Sequence, residues 1–220
     1  MKKYLTRVFR IWGITAIVLS MIASMAINTF AYNGNAAAQY AKNWYDSANS
    51  SYNDYHGRGG DCTNFASQCV YAGGAKEEKP SKMTPDSVLK TKTYWFSDKY
   101  IRTNYFLGFK VSSYPVWAES SSWVRVAGGY GFYDYWKQEG KTLIVSSDLS
   151  YIRSQARVGD VIQVQAKGSS AKGHSTIVGA KANGEITLYY HSSDTYKTLA
   201  AFDKAYGKGS GTNTYTIIRM

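Results

Sequence analysis

The pair Asn183-Gly184 constrains this chain more than any other feature. It sits between two runs rich in β-branched and aromatic residues, HSTIVGA (174–180) and EITLYYHSS (185–193). Asn-Gly between such runs is a strong signal for a two-residue β-hairpin, because both residues tolerate the positive φ that the turn demands. VGDVIQVQ (158–165) alternates as a further strand, and NTYTIIRM (213–220) reads as a last one. Helical spacing dominates earlier in the chain. Ala37, Tyr40, Ala41, Trp44 and Ala48 recur on one face of a helix expected over 35–48. Ser147 is expected to cap a short helix carrying Leu149, Ile152 and Ala156. Helices first and an antiparallel sheet afterwards place the chain in the α+β class.

The first thirty-one residues read as an export signal. A basic start (Lys2, Lys3, Arg7, Arg10) precedes an uncharged run from Ile11 to Ile27, and Thr29-Phe30-Ala31 fits cleavage that leaves Tyr32 as the new terminus. Ala26 is a second cleavage site, and an uncleaved anchor is the rival reading. Residues 32–220 are expected to form one domain on the outside of the cell, as a secreted, monomeric protein that meets the membrane only during export. The net charge of +11 includes those four positives, so residues 32–220 retain +7. That suits an anionic neighbourhood such as a cell wall. Nucleic acid is disfavoured, because Lys and Arg are scattered along an exported chain.

Both cysteines lie in DCTNFASQC (61–69). An exported chain invites a disulfide. Cys62, Phe65, Ala66, Cys69 and Val70, however, share one helix face, with Asp61 expected as the cap and Gly73-Gly74 as the stop. Seven residues of helix separate the two Cα atoms by about 10.5 Å, whereas a disulfide needs roughly 7 Å or less. Two separate roles follow. Cys69, mid-helix, reads as core, and Cys62, in the first turn, lies where N–H groups and the helix dipole favour a thiolate.

Only three histidines are present. A hairpin sets the start of one strand beside the end of the next, so His174 and His191 are expected to be neighbours, with Cys62 close by on the packed helix. An imidazole would take the thiol proton and return it to a leaving amine, a third polar group would orient the ring, and the Cys62 N–H would meet an oxyanion. A charged Asp61 opposes thiolate formation unless its charge is engaged elsewhere. The same Cys62, His174 and His191 would also suit zinc, although none is close to another in sequence as zinc ligands more often are. His56, in the Gly-rich loop SSYNDYHGRGG (50–60), reads as solvated. Residues 76–86 read as a surface connection. Residues 93–136 read as an aromatic, loop-rich subregion that includes Trp95, Trp117, Trp123 and Trp136.

The ordered strings DCTNFASQC, YAGG, VGDVI, GHSTIV and YHSSD resemble the putative amidase domain of bacterial exported proteins, from about Tyr32 to the C-terminus. That family is grouped with papain-like cysteine hydrolases, near the NlpC-type and CHAP cell-wall enzymes. The resemblance implies a helix carrying the cysteine packed on an antiparallel sheet. It also implies hydrolysis of amide bonds, as in peptidoglycan stem peptides, without a cofactor or metal. Carried over by residue, it implies Cys62 as nucleophile, His174 as base and His191 as third member, with Asp194 and Asn183 less favoured. Asp61, Asn64 and Tyr52 are the oxyanion or supporting candidates, and Tyr52-Asn53 fits the lead-in to the cysteine. No motif covers 76–122, which is the candidate for setting specificity. The rival function is a non-catalytic wall-binding module on the same fold.

Overall fold

The computed structural model describes residues 31–59, 61–206 and 212–220. The export-signal reading falls outside these residues except at Ala31. Tyr32–Met220 form one unit of the α+β class.

Helix α1 (Gly34–Trp44) is capped by Asn33, whose Oδ1 accepts from the Ala36 N–H at 3.1 Å, and it buries Ala37, Ala38 and Ala41. It stops four residues short of the expected Ala48. The Trp44 carbonyl accepts from Ser47 N–H and from the His191 ring, so the i to i+4 ladder ends there. Helix α2 (Asp61–Ala72) carries both free cysteines. Residues Asp61 through Val70 are all buried, so α2 is a central helix rather than an amphipathic one.

The aromatic segment after α2 departs from expectation. It holds a three-stranded sheet of β1 (Ser87–Leu89), β2 (Ser97–Phe106) and β3 (Phe109–Ser120) in the order β1-β3-β2, with β1 parallel to β3 and β2–β3 a long hairpin. The short helices α3 (Ser121–Val124) and α4 (Phe132–Gln138) follow, and Trp95, Trp123 and Trp136 converge beneath them as core. No alternation announced β2 and β3 because their outer halves are exposed on both faces.

The larger sheet has six antiparallel strands in the order β4-β9-β5-β6-β7-β8. These are β4 (Leu143–Ser146), β5 (Val161–Gln165), β6 (His174–Ala182), β7 (Glu185–Tyr190), β8 (Thr195–Thr198) and β9 (Thr214–Ile218). Helix α5 (Leu149–Gln155) is capped by Asp148, not by Ser147 as expected, and α6 (Leu199–Tyr206) follows β8 directly. Both faces of the sheet are covered. Val161, Ile177 and Ile218 join the core with α1 and α2, while their neighbours Ile162, Val178 and Ile217 join the core with α5 and α6. Alternate residues of a strand thus feed opposite cores, and β5 is buried on both sides for that reason.

Two glycines set the framework of the site. Gly159, at φ 88°, and Gly34 lie so close that a Cβ on Gly34 would stand 2.1 Å from the Val158 carbonyl oxygen, which docks the start of α1 on the turn of VGDVI. Gly179 forms a β-bulge: Val178 pairs with Leu188, but Ala180 pairs with Thr187, so one residue of β6 is left without a partner. A Cβ there would stand 2.2 Å from the Tyr189 ring, which lies across the bulge.

Candidate functional site

Helix α2 begins at the far end of the 50–60 loop and lies against β6, which places Cys62 in its first turn against the start of that strand. Cys62 is 4% exposed. Its Sγ faces the backbone N–H of Ser175, the residue after His174, and lies 3.7 Å from Thr63 Oγ1. Thr63 Oγ1 is 3.0 Å from Ser175 Oγ, and Gln163 Nε2 bridges Ser175 Oγ and the Val126 carbonyl, each at 3.1 Å. Burial pushes the Cys62 thiol up, the amide and hydroxyl donors pull it part of the way back, and Asp61 pushes it up again. The resting group is the thiol. Cys69 is fully buried, and desolvation pushes its thiol well up against a small opposing backbone hydrogen bond, as a core residue should be.

His174 opens β6 on the other face of the sheet. Its ring meets Tyr190 edge-on at 5.0 Å and stacks with Phe202 and Tyr206, each at 5.8 Å. Burial lowers its pKa to about 4, so the ring is neutral at physiological pH and free to take a proton. Helix α6 supplies Phe202 and Tyr206, and neither was singled out from sequence. The signal was present: Leu199, Phe202 and Tyr206 stand at i, i+3 and i+7 of one helix face. Tyr206 also links the two candidates, since its phenol is pushed up by burial and then by the neighbouring Cys62.

His191 does not join His174. It lies on the α2 face, stacked on Phe65 at 4.0 Å, with Nδ1 2.8 Å from Asp61 Oδ2 and Nε2 2.7 Å from the Trp44 carbonyl oxygen. Both ring nitrogens face acceptors, an arrangement that favours the doubly protonated ring. The opposing influences on His191 agree with this. Burial lowers its pKa, but the bonds to Asp61 and to the last turn of α1 raise it more, and the net shift is upward. The Gly179 bulge explains the miss. In an unbulged hairpin His191 would lie opposite Thr176, on the His174 face; a shift of one residue sets it opposite Ser175 and turns it over. Cys62, His174 and His191 therefore do not converge as zinc ligands.

The other candidates separate in the same way. Asp61 is the first residue of α2 rather than its cap; its carboxylate is held by His191 and by Asn64 Nδ2 at 3.2 Å, and these bonds lower its pKa against the effect of burial. Asn64 also donates to the Asn53 carbonyl at 2.9 Å and accepts from Trp123 Nε1 at 3.1 Å, so it supports the lead-in loop and has no donor left for an oxyanion. Tyr52 stacks on Trp123 at 5.9 Å as packing. His56 is not simply solvated, because its Nε2 lies 2.6 Å from Asp194 Oδ2. That contact commits Asp194 to His56, while Asn183 serves the turn at φ 52°. Neither stands behind His174. Asp54, His56 and Asp61 offer ligand atoms within 4.8 Å of one another, but a metal there would compete with His191 for Asp61.

A cleft of about 550 Å³ opens beside this assembly. Arg58 and Gly59 line it from the segment entering α2, Lys172 from the segment entering β6, and Val124 to Ala127 from the end of α3 and the chain after it. Arg58, Arg125 and Lys172 make it cationic, and its lining contains no carboxylate. Neither Cys62 nor His174 lines this cleft; its wall is tied to the residue beside Cys62 by Gln163, which bonds both the Val126 carbonyl and Ser175 Oγ.

No curated protein and no solved structure matches the chain. A family model does, described as "Putative amidase domain", over residues 31–217. With nearly the whole described chain inside that match, and with Cys62 and the start of the His174 strand side by side within it, the chain belongs to the putative amidase domain family.

Proposed function

We propose that the protein is an exported cysteine amidase of papain-like type that hydrolyses amide bonds in peptidoglycan stem peptides. The observation that carries this reading is the placement of Cys62: first turn of α2, thiol against the Ser175 N–H, one residue from His174. On this reading the Cys62 sulfur attacks the carbonyl carbon and its proton passes to the neutral His174 ring around the start of β6, where Tyr206 neighbours both groups. The oxyanion meets the Cys62 N–H at the helix start. His174 then protonates the amine as the C–N bond breaks, leaving a thioester. Water, deprotonated by His174, hydrolyses the thioester, releases the carboxylic acid and restores the thiol. With a raised thiol and a lowered imidazole, the resting pair is neutral, and proton transfer accompanies attack rather than preceding it.

The cationic cleft supports a substrate carrying free carboxylates, as stem peptides do, and the basic chain supports action at an anionic wall. The test is release of free amino groups from purified peptidoglycan. Cys62→Ala is expected to abolish release while Cys69→Ala retains it, and full activity in Cys62→Ala would end the reading. A wall-binding module is the second reading. It is favoured by one observation: burial is the sole influence on the His174 proton among the described residues, with no bond joining the ring to Cys62. It requires binding that survives thiol alkylation, and no turnover.

A further inference from the structure

The outer half of the β2–β3 hairpin exposes more apolar surface than any other part of the described chain. Phe106, Leu107 and Phe109 are 68%, 82% and 77% exposed, with Tyr105, Ile101 and Val111 close to that level. Phe106 pairs with Phe109 on one face, and Tyr105 pairs with Lys110 on the other, so both faces of the tip carry exposed aromatic rings, with Lys110 the one charge beside them.

The turn itself is unusual. Leu107 and Gly108 take φ values of 48° and 82°, close to the 52° and 74° of Asn183 and Gly184 in the other two-residue turn. Asn suits the first position, whereas a bulky apolar side chain is strained there. At Leu107 the chain sets a residue that is unfavourable both for backbone conformation and for contact with water, and such outliers mark function more often than accident.

We propose that this hairpin tip inserts into the surface of an anionic lipid bilayer. A protein partner covers one face of a hairpin, whereas a surrounding medium covers Leu107 at the turn and the rings on both faces of the tip at once. Depth fits as well. A polar belt crosses the hairpin where Thr103 Oγ1 meets Ser113 Oγ at 3.2 Å and Asn104 Nδ2 donates to Ser112 Oγ at 3.0 Å. Leu107 lies three residues beyond Asn104, about 10 Å at strand rise, which matches the roughly 5–10 Å to which interfacial elements sink. Charge favours an anionic surface: residues 99–118 contain Lys99, Arg102 and Lys110 and no Asp or Glu. Arg102 is paired with Asp86 at 2.7 Å, which leaves Lys110, beside the tip, as the cation best placed for lipid phosphate.

The test compares the intact chain with Leu107→Asn/Phe109→Ser, both with the same N-terminus, by co-sedimentation with phosphatidylglycerol-containing vesicles and with phosphatidylcholine vesicles. The wild type is expected to bind the anionic vesicles at least tenfold more tightly than the neutral ones. The variant should lose at least tenfold on the anionic vesicles without a fall in melting temperature, since Asn relieves the turn. In Phe109→Trp, the added emission should be quenched by lipids brominated near the headgroup. Equal binding by wild type and variant, or added emission in Phe109→Trp that the brominated lipids leave unquenched, overturns the proposal. So does wild-type dimerisation without lipid that the variant abolishes, because the occupant is then a second copy.

Discussion

Replacing His191 with Gln tests the ion pair at the start of the cysteine helix α2. His191 and Asp61 are 3% and 5% exposed, and His191 Nδ1 lies 2.8 Å from Asp61 Oδ2. Removing one partner of a buried pair leaves an uncompensated charge and costs about 3–5 kcal/mol. Gln keeps a donor, and His56 Nδ1 stands 3.5 Å from the same Asp61 oxygen, so the lower end applies, about 3 kcal/mol. For a unit of this size that is a drop of roughly 6–12 °C in melting temperature. The pH dependence is the sharper readout. His191 has a raised folded pKa, so its contribution is complete below its ordinary value near 6.5 and is lost as pH rises through the folded value. Asp61 has a lowered folded pKa, so its contribution is complete above about 3.9 and is lost as pH falls through the folded value. The gap between wild type and His191→Gln should therefore be widest between about pH 4 and 6.5 and should narrow in alkali. Thermal unfolding followed by tryptophan fluorescence across pH measures it. A gap that stays constant or widens from acid to alkali would show that His191 is neutral and acts by packing alone.

Three further outcomes follow from the same geometry. With His174 held at about 4, kcat/KM should fall only as pH drops through that value and protonates the base; an acid limb at or above the ordinary histidine value would refute the burial argument. Gly179→Ala drives a Cβ into the Tyr189 ring and should cost about 1–3 kcal/mol in chemical unfolding. Combining it with Tyr189→Ala should be less than additive, and full additivity would show that the ring does not hold the bulge. Arg125→Glu, in the cleft wall, should raise KM for a carboxylate-bearing peptide more than it lowers kcat, and an unchanged KM would remove the cleft from the substrate path.

What could be read in advance was local. The cysteine helix announced itself through the spacing of Phe65, Ala66, Cys69 and Val70, and the β6–β7 turn through Asn183-Gly184, because helix faces and tight turns are properties of a few adjacent residues. The β2–β3 hairpin was hidden for a physical reason: period-two patterning exists only where one face is buried, and its outer half buries neither. The rings that pack on His174, Phe202 and Tyr206, come from α6, whose own spacing is regular but whose docking across β6 is a tertiary fact.

The fate of His191 shows why the order of motifs along a chain cannot assign a triad. Side chains on a strand alternate, so the face a residue occupies depends on the parity of the count from the turn, and one bulge reverses it. Here that bulge is at Gly179, where a side chain would meet the ring of Tyr189, a residue on the paired strand. Its effect reaches beyond register. Turned toward α2, His191 pairs with Asp61, whose charge opposes a thiolate at Cys62, and ties the start of that helix to the last carbonyl of α1. A histidine that order along the chain placed beside His174 instead holds the first residue of the cysteine helix, and any influence it has on Cys62 runs through Asp61.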